Sequence, residues 1–191
     1  MIKIKIIVCV KAVRSELINS ESVSGDKYSL NPYDLFALQS VIDLKSRMNC
    51  EVTCISMGGD SIRDSLIICY ALGVDRVIWL NEHDFAGSDT VATSYILAQA
   101  IMRITDYDLI VCGEKAIDGE TGQVPAGLAE RLHVRYVGGV KEIFELTKDC
   151  ALLQTRNEQY DTTIRVQLPA VLAFSEFTTT ANKVSLVSLK R

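Results

Sequence analysis

Between Gly113 and Pro125 the chain reads Gly-Glu-Lys-Ala-Ile-Asp-Gly-Glu-Thr-Gly-Gln-Val-Pro. Three glycines within ten residues, Gly113, Gly119 and Gly122, allow a backbone to come close to a ligand. The run leads into an expected helix, and the free amide donors and dipole of a helix start favour phosphate. Thr121 adds a hydroxyl donor. Asp118 and Glu120 would repel phosphate unless they turn away or take ribose hydroxyls. The run fits neither the Walker pattern nor Gly-x-Gly-x-x-Gly. On these residues alone, a phosphate cradle and an ordinary glycine-bearing connection stand as alternatives.

Other polar groupings are simpler. Ser88, Asp89, Thr90, Thr93 and Ser94 place several side-chain oxygens at one helix start. Ser88 or Asp89 as an N-cap, with the rest in solvent, explains them equally well. Met57-Gly58-Gly59 offers bare backbone on which a flat ring could stack, or a plain turn. No histidine stands near a nucleophile and an acid. His83 reads as a loop residue and His133 as a helix end. Cys112 has no neighbouring cation in sequence to lower its pKa. The six cysteines form no Cys-x-x-Cys pair. They are expected to be free thiols packed as small hydrophobes, with no metal site and no redox dithiol pair. No catalytic residues are expected.

These candidates need a scaffold. Ile4–Val10 is a nearly continuous apolar run, suited to a strand buried on both faces. Arg14 to Ser29 is polar and reads as a loop. Asn31 is a good N-cap, Pro32 suits the first helical turn, and Asp34 suits its dipole, so a helix is expected through Leu35, Leu38 and Ile42. Glu51 to Ser56, Arg76 to Leu80 and Asp108 to Cys112 are further strands. Between them lie a helix capped by Asp60 and stopped by Gly73, and another over Val91 to Ile104. A fourth helix covers Gly122 to Leu132. Repeated strand–loop–helix units predict a doubly wound, mostly parallel α/β sheet of Rossmann-like type. After His133 the pattern turns to strands alone, Val137 to Leu146, Leu152 to Asn157 and Thr162 to Leu168, an expected antiparallel excursion. Ala170 to Phe174 is a buried strand returning to the main sheet. In such sheets ligands sit beyond the carboxyl ends of the strands. Cys9-Val10-Lys11, Asn31 to Asp34, Met57-Gly58-Gly59, Phe85 to Thr93 and Gly113 to Gln123 all fall on that rim.

Composition sets outer bounds. The 191 residues carry a net charge of −4 and are 48% hydrophobic, enough for one domain over 1–191 with a real core. The acidic balance argues against nucleic acid bound through bulk charge. No apolar run reaches the roughly 18 residues of a membrane helix. The N-terminus lacks the features of a signal peptide, so a cytoplasmic protein is expected.

Six motifs occur in order: Cys9-Val10-Lys11, Asn31-Pro32-Tyr33-Asp34, Ala71 to Arg76, Phe85 to Tyr95, Ala116 to Val124 and Leu168 to Leu172. Together they resemble the β subunit of electron transfer flavoproteins over about residues 4 to 174. The resemblance implies an adenine-nucleotide-binding fold that holds AMP, or FAD in bifurcating-type members. It implies a heterodimer with an α subunit carrying the redox FAD, and electron passage between dehydrogenases and acceptors, an acyl-CoA dehydrogenase-type partner among them. A stand-alone adenine-nucleotide binder is the alternative. Carried over, the nucleotide contacts are Cys9, Asn31, Pro32, Tyr33, Asp34, Met57, Gly58, Ser88, Thr90, Thr93, Gly113, Lys115, Ala116, Ile117, Asp118, Gly119, Glu120, Thr121, Gly122 and Gln123. The sequence departs from the family at Val13-Arg14-Ser15 and at Pro125-Ala126. It departs again after Phe174, where Thr178 to Arg191 replaces the usual docking segment and arm. A short or C-terminally truncated member is therefore expected.

Overall fold

Alternation along the first strand sets the layers. In β1 (Ile4–Cys9), Ile6 and Val8 face one way and Ile7 and Cys9 the other, as period-two geometry requires. Ile6 and Val8 join a core with Leu35, Leu38, Val41 and Leu44 of α1 (Pro32–Arg47) and Leu66, Cys69 and Leu72 of α2 (Arg63–Leu72). Ile7 and Cys9 join a second core with Leu97, Ala98 and Ile101 of α3 (Thr90–Met102) and Leu128 and Ala129 of α4 (Gln123–Leu132). Both faces of the sheet are thus covered, and its strands read as continuous apolar runs for that reason. The computed structural model describes residues 3–18, 28–85, 87–104, 106–157 and 159–178.

β1 pairs in parallel with β4 (Cys50–Met57) on one side and β6 (Leu109–Gly113) on the other. β5 (Arg76–Leu80) lies outside β4. The chain builds outward from β1 through α1 and α2, then returns through α3 to lay β6 on β1's free side. That reversal makes β1 and β6 the switch point of the sheet. β10 (Ala170–Phe174) pairs in parallel with both β6 and β7 (Arg135–Leu146). β8 (Cys150–Arg156) and β9 (Asp161–Gln167) follow antiparallel. The expected excursion is therefore a continuation of one eight-stranded sheet, and the last strand is its splice.

Three local expectations are corrected. The ends of the expected Arg14–Ser29 loop pair as a small ribbon, β2 (Ala12–Arg14) with β3 (Tyr28–Leu30). Buried Val13 and Leu30 anchor it, but three-residue strands are too short to show a period. Asn31 stands before α1 without capping it, because its side chain is used elsewhere. Asp60 opens a 3₁₀ turn ahead of α2 and accepts from Asn81 Nδ2 at 2.7 Å. By contrast, Asp89 does cap α3, accepting the Ala92 N–H at 2.8 Å. The expected departure after Phe174 extends into 179–191, outside the described residues, as do 19–27 of the expected loop and Ala86 of the Phe85–Tyr95 motif.

Candidate functional site

A cleft of about 640 Å³ lies over the carboxyl ends of β1, β4 and β6. Its floor includes Cys9, Ile55 and Cys112; one wall is the 113–122 segment and the other the start of α3. The rim is pinned by buried polar side chains from the β1–α1 region. Asp34, in the first turn of α1, accepts the Lys11 N–H at 2.8 Å and the Gly113 N–H at 2.9 Å, one on each carboxylate oxygen. Burial pushes its pKa up to about 6, against the pull of these hydrogen bonds. Gly113 is glycine for a steric reason. A Cβ there would lie 2.6 Å from Tyr33 Cβ and 2.7 Å from the Asp34 nitrogen.

Asn31 holds the next stretch. Its Nδ2 donates to the Lys115 carbonyl at 2.9 Å and its Oδ1 accepts the Ile117 N–H at 3.2 Å. With 1% of its surface exposed, it has no water to exchange for these bonds. Lys11 Nζ lies 2.7 Å from the Asp118 carboxylate, and Lys115 Nζ lies 3.7 Å from Glu120. The two acids that would have repelled a phosphate are thus each matched by a cation. Gly122, at φ +64°, turns the chain into α4 in a conformation that side chains rarely adopt. Thr90 Oγ1 donates to Gln123 Oε1 at 2.9 Å, joining the starts of α3 and α4.

Of the residues expected at the site, Cys9, Asn31, Asp34, Met57, Gly58, Ser88, Thr90, Thr93, Gly113, Lys115, Ala116, Asp118, Gly119, Glu120, Thr121 and Gly122 line this one cleft. Pro32, Tyr33, Ile117 and Gln123 do not line it. Tyr33 packs on Phe177 with ring centroids 5.5 Å apart. The Met57–Gly59 backbone is less bare than expected, since Gly58 donates to Leu80 at 3.2 Å and accepts from Trp79 Nε1 at 2.7 Å. Ile55 and Leu97 were missed as lining residues, and nothing in sequence marks an element's interior residue as a cleft wall. Glu82 and His83, beyond β5, also reach it.

Among the described residues, no cluster of three or more metal-ligating side chains occurs. Cys112 is a poor nucleophile, its pKa driven up by the neighbouring Cys9 thiol and by burial. Cys9 and Cys112, far apart in sequence, are brought side by side by the β1–β6 register.

Fold and cleft define a doubly wound α/β protein with a cleft at the switch point. The pattern described as "Electron transfer flavoprotein domain" matches residues 22–185. The chain is 36% identical over 186 residues to "Protein FixA" of Bradyrhizobium diazoefficiens, covering 90% of this chain and 64% of that protein. It is 34% identical over 143 residues to "Electron transfer flavoprotein subunit beta" of Clostridium acetobutylicum, covering 75% of this chain and 54% of that one. "Acryloyl-CoA reductase electron transfer subunit gamma" of Anaerotignum propionicum is 34% identical over 148 residues, covering 75% and 54%. The chain belongs to the electron transfer flavoprotein β-subunit family. It spans between 54% and 68% of the length of these curated relatives. No helix among the described residues is long and apolar enough to cross a membrane.

Proposed function

We propose that this chain is the nucleotide-holding β subunit of an electron transfer flavoprotein. It binds AMP or FAD in the switch-point cleft. With an α subunit carrying the redox FAD, it passes electrons between dehydrogenases, an acyl-CoA dehydrogenase type among them, and acceptors in the cytoplasm. The observation that carries this reading is the preset 113–122 wall, whose two acids are already paired with Lys11 and Lys115. A cleft of about 640 Å³ falls within the roughly 300–1,000 Å³ range of small-molecule sites. The relatives' names speak for electron transfer rather than for a stand-alone binder.

The protein's own part is binding and positioning. Thr121 and the free N–H groups at the start of α4 receive a phosphate. Ser88, Thr90 and Thr93 offer hydroxyls across the cleft, and Cys9, Ile55 and Leu97 exclude water from its depth. Bound flavin would supply the redox chemistry. The chain brings no catalytic residues of its own, and residues 1–191 act as one nucleotide-binding domain.

Calorimetry with AMP, ADP and FAD, on the chain alone and with a co-encoded α subunit, tests this. Binding of at least one nucleotide and α-dependent electron transfer to an acceptor dye are expected. No binding in either form, or robust turnover by the chain alone with FAD, would overturn it.

A further inference from the structure

Cys9 ends β1 and Cys112 lies one residue before the end of β6, in neighbouring parallel strands at the switch point. The register pairs Ile7 with Ile110 and Val8 with Val111, and one more step sets Cys9 beside Cys112. Both side chains belong to the sheet face packed under α3 and α4. Their thiols lie close enough to interact electrostatically, and both line the cleft floor. Neighbouring strands lie about 4.8 Å apart, and disulfides span Cα separations of about 4.4–6.8 Å. Cys54 and Cys69 form a second neighbouring pair. That pair is 0% exposed and off the cleft, whereas Cys9 and Cys112 are 8% and 4% exposed at its floor.

We propose that Cys9 and Cys112 form an oxidisable dithiol site on the cleft floor, which takes small disulfides and closes to an intramolecular disulfide. The more exposed Cys9 thiolate attacks a sulfur of the disulfide reagent, displacing one thiolate and leaving a mixed disulfide. Cys112, once deprotonated, attacks Cys9 Sγ and expels the second thiolate. The Cys9–Cys112 S–S bond forms and the reagent's S–S bond breaks. The protein loses two electrons and two protons, and the reagent leaves as two thiols. The raised Cys112 pKa makes closure slow at neutral pH and faster in alkali. A nucleotide in the cleft covers the pair; this last point rests on the proposed function.

The test incubates the full chain with oxidised glutathione and maps disulfides by peptide mass spectrometry. A Cys9–Cys112 link is expected, with Cys54 and Cys69 still reduced. Cys9→Ser and Cys112→Ser should each abolish the link. Both thiols staying reduced, or a Cys54–Cys69 link forming as fast, would overturn the site. Saturating AMP or FAD should slow closure by at least about tenfold through lost access. An unchanged rate, with binding verified by calorimetry, would refute the covering relation. Closure without any nucleotide binding, with or without the α subunit, would support the dithiol site and count against the nucleotide reading.

Discussion

Asp34 Oδ1 accepts the backbone N–H of Gly113 at 2.9 Å, so one carboxylate in the first turn of α1 ties down the end of β6. Its other oxygen holds Lys11, just past the end of β1. The two strands that flank the switch point are therefore fixed by a single side chain.

Gly113→Ala should be costly. The added methyl meets Tyr33 Cβ and the Asp34 nitrogen, both main-chain or near it and slow to yield. Overpacking of this kind costs about 1–3 kcal/mol, read as a lowered denaturation midpoint with an unchanged slope. Gly119→Ala, with nothing within 4 Å of the new atom, should stay within about 0.5 kcal/mol of the parent.

Asp34 should oppose the usual loss of stability in mild acid. Its folded pKa of about 6 exceeds the 3.8 of an ordinary aspartate carboxyl. Between those values the folded chain binds a proton that the unfolded chain lacks. This group thus adds stability as pH falls from about 6 towards 4, by roughly 3 kcal/mol at most, and withdraws it as pH rises through 6. Asp75 runs the other way: despite partial burial, Lys45 and the Val52 N–H hold its pKa down, so its contribution is lost in acid. Carboxyl NMR should place the Asp34 midpoint near 6, with the Lys11 and Gly113 amide shifts moving together. A midpoint at or below about 4 would contradict this.

Asn31→Ala should free the wall of the cleft. It orphans the Lys115 carbonyl and the Ile117 N–H, at about 1–3 kcal/mol for partners left unsatisfied. Hydrogen exchange should quicken at Ile117 while β4 keeps its protection. Nucleotide affinity should fall about tenfold as the wall loses its preset shape.

Lys11→Met separates charge from stability. The Lys11–Asp118 pair is half-exposed and contributes about 1 kcal/mol or less to folding. Its loss leaves Asp118 uncompensated on the phosphate wall. AMP affinity should drop more than stability does, and the drop should shrink at high salt. Equal effects at low and high salt would argue against a charge role.

Gly122→Val and Gly119→Val should both weaken nucleotide binding, by different routes. At φ +64° Gly122 pays in backbone strain, so its substitution should also lower stability by about 1–2 kcal/mol. Gly119 has open space around it and lines the cleft, so its substitution should block the site and leave folding intact.

Much of this arrangement was legible in the residues. Apolar runs such as Ile4–Val10 announced strands covered on both faces, and glycine spacing marked the 113–122 wall. What escaped were relations between distant segments. Asn31 looked like an N-cap because sequence shows only the amides next in the chain, not the Lys115 and Ile117 groups that burial brings to it. The Cys9–Cys112 contact depends on which strands become neighbours, and spacing along the chain carries no record of that. Pro32 and Gln123 sit in the right motifs but do not line the cleft, and a motif match does not record which residues of a helix's first turn reach a ligand space.

The position of β10 has a consequence for how the chain is made. Strands β5, β4, β1 and β6 form one ribbon and β7, β8 and β9 another, and among the described residues only β10 joins them by strand pairing. While the chain leaves the ribosome, both ribbons can form, each with an unpaired edge along β6 or β7. Closure waits for Ala170–Phe174, which must enter between two strands already in place. Such late, long-range pairing is slow, and open edges recruit other chains meanwhile. The hazard of misassembly is thus concentrated in the interval before the last strand arrives.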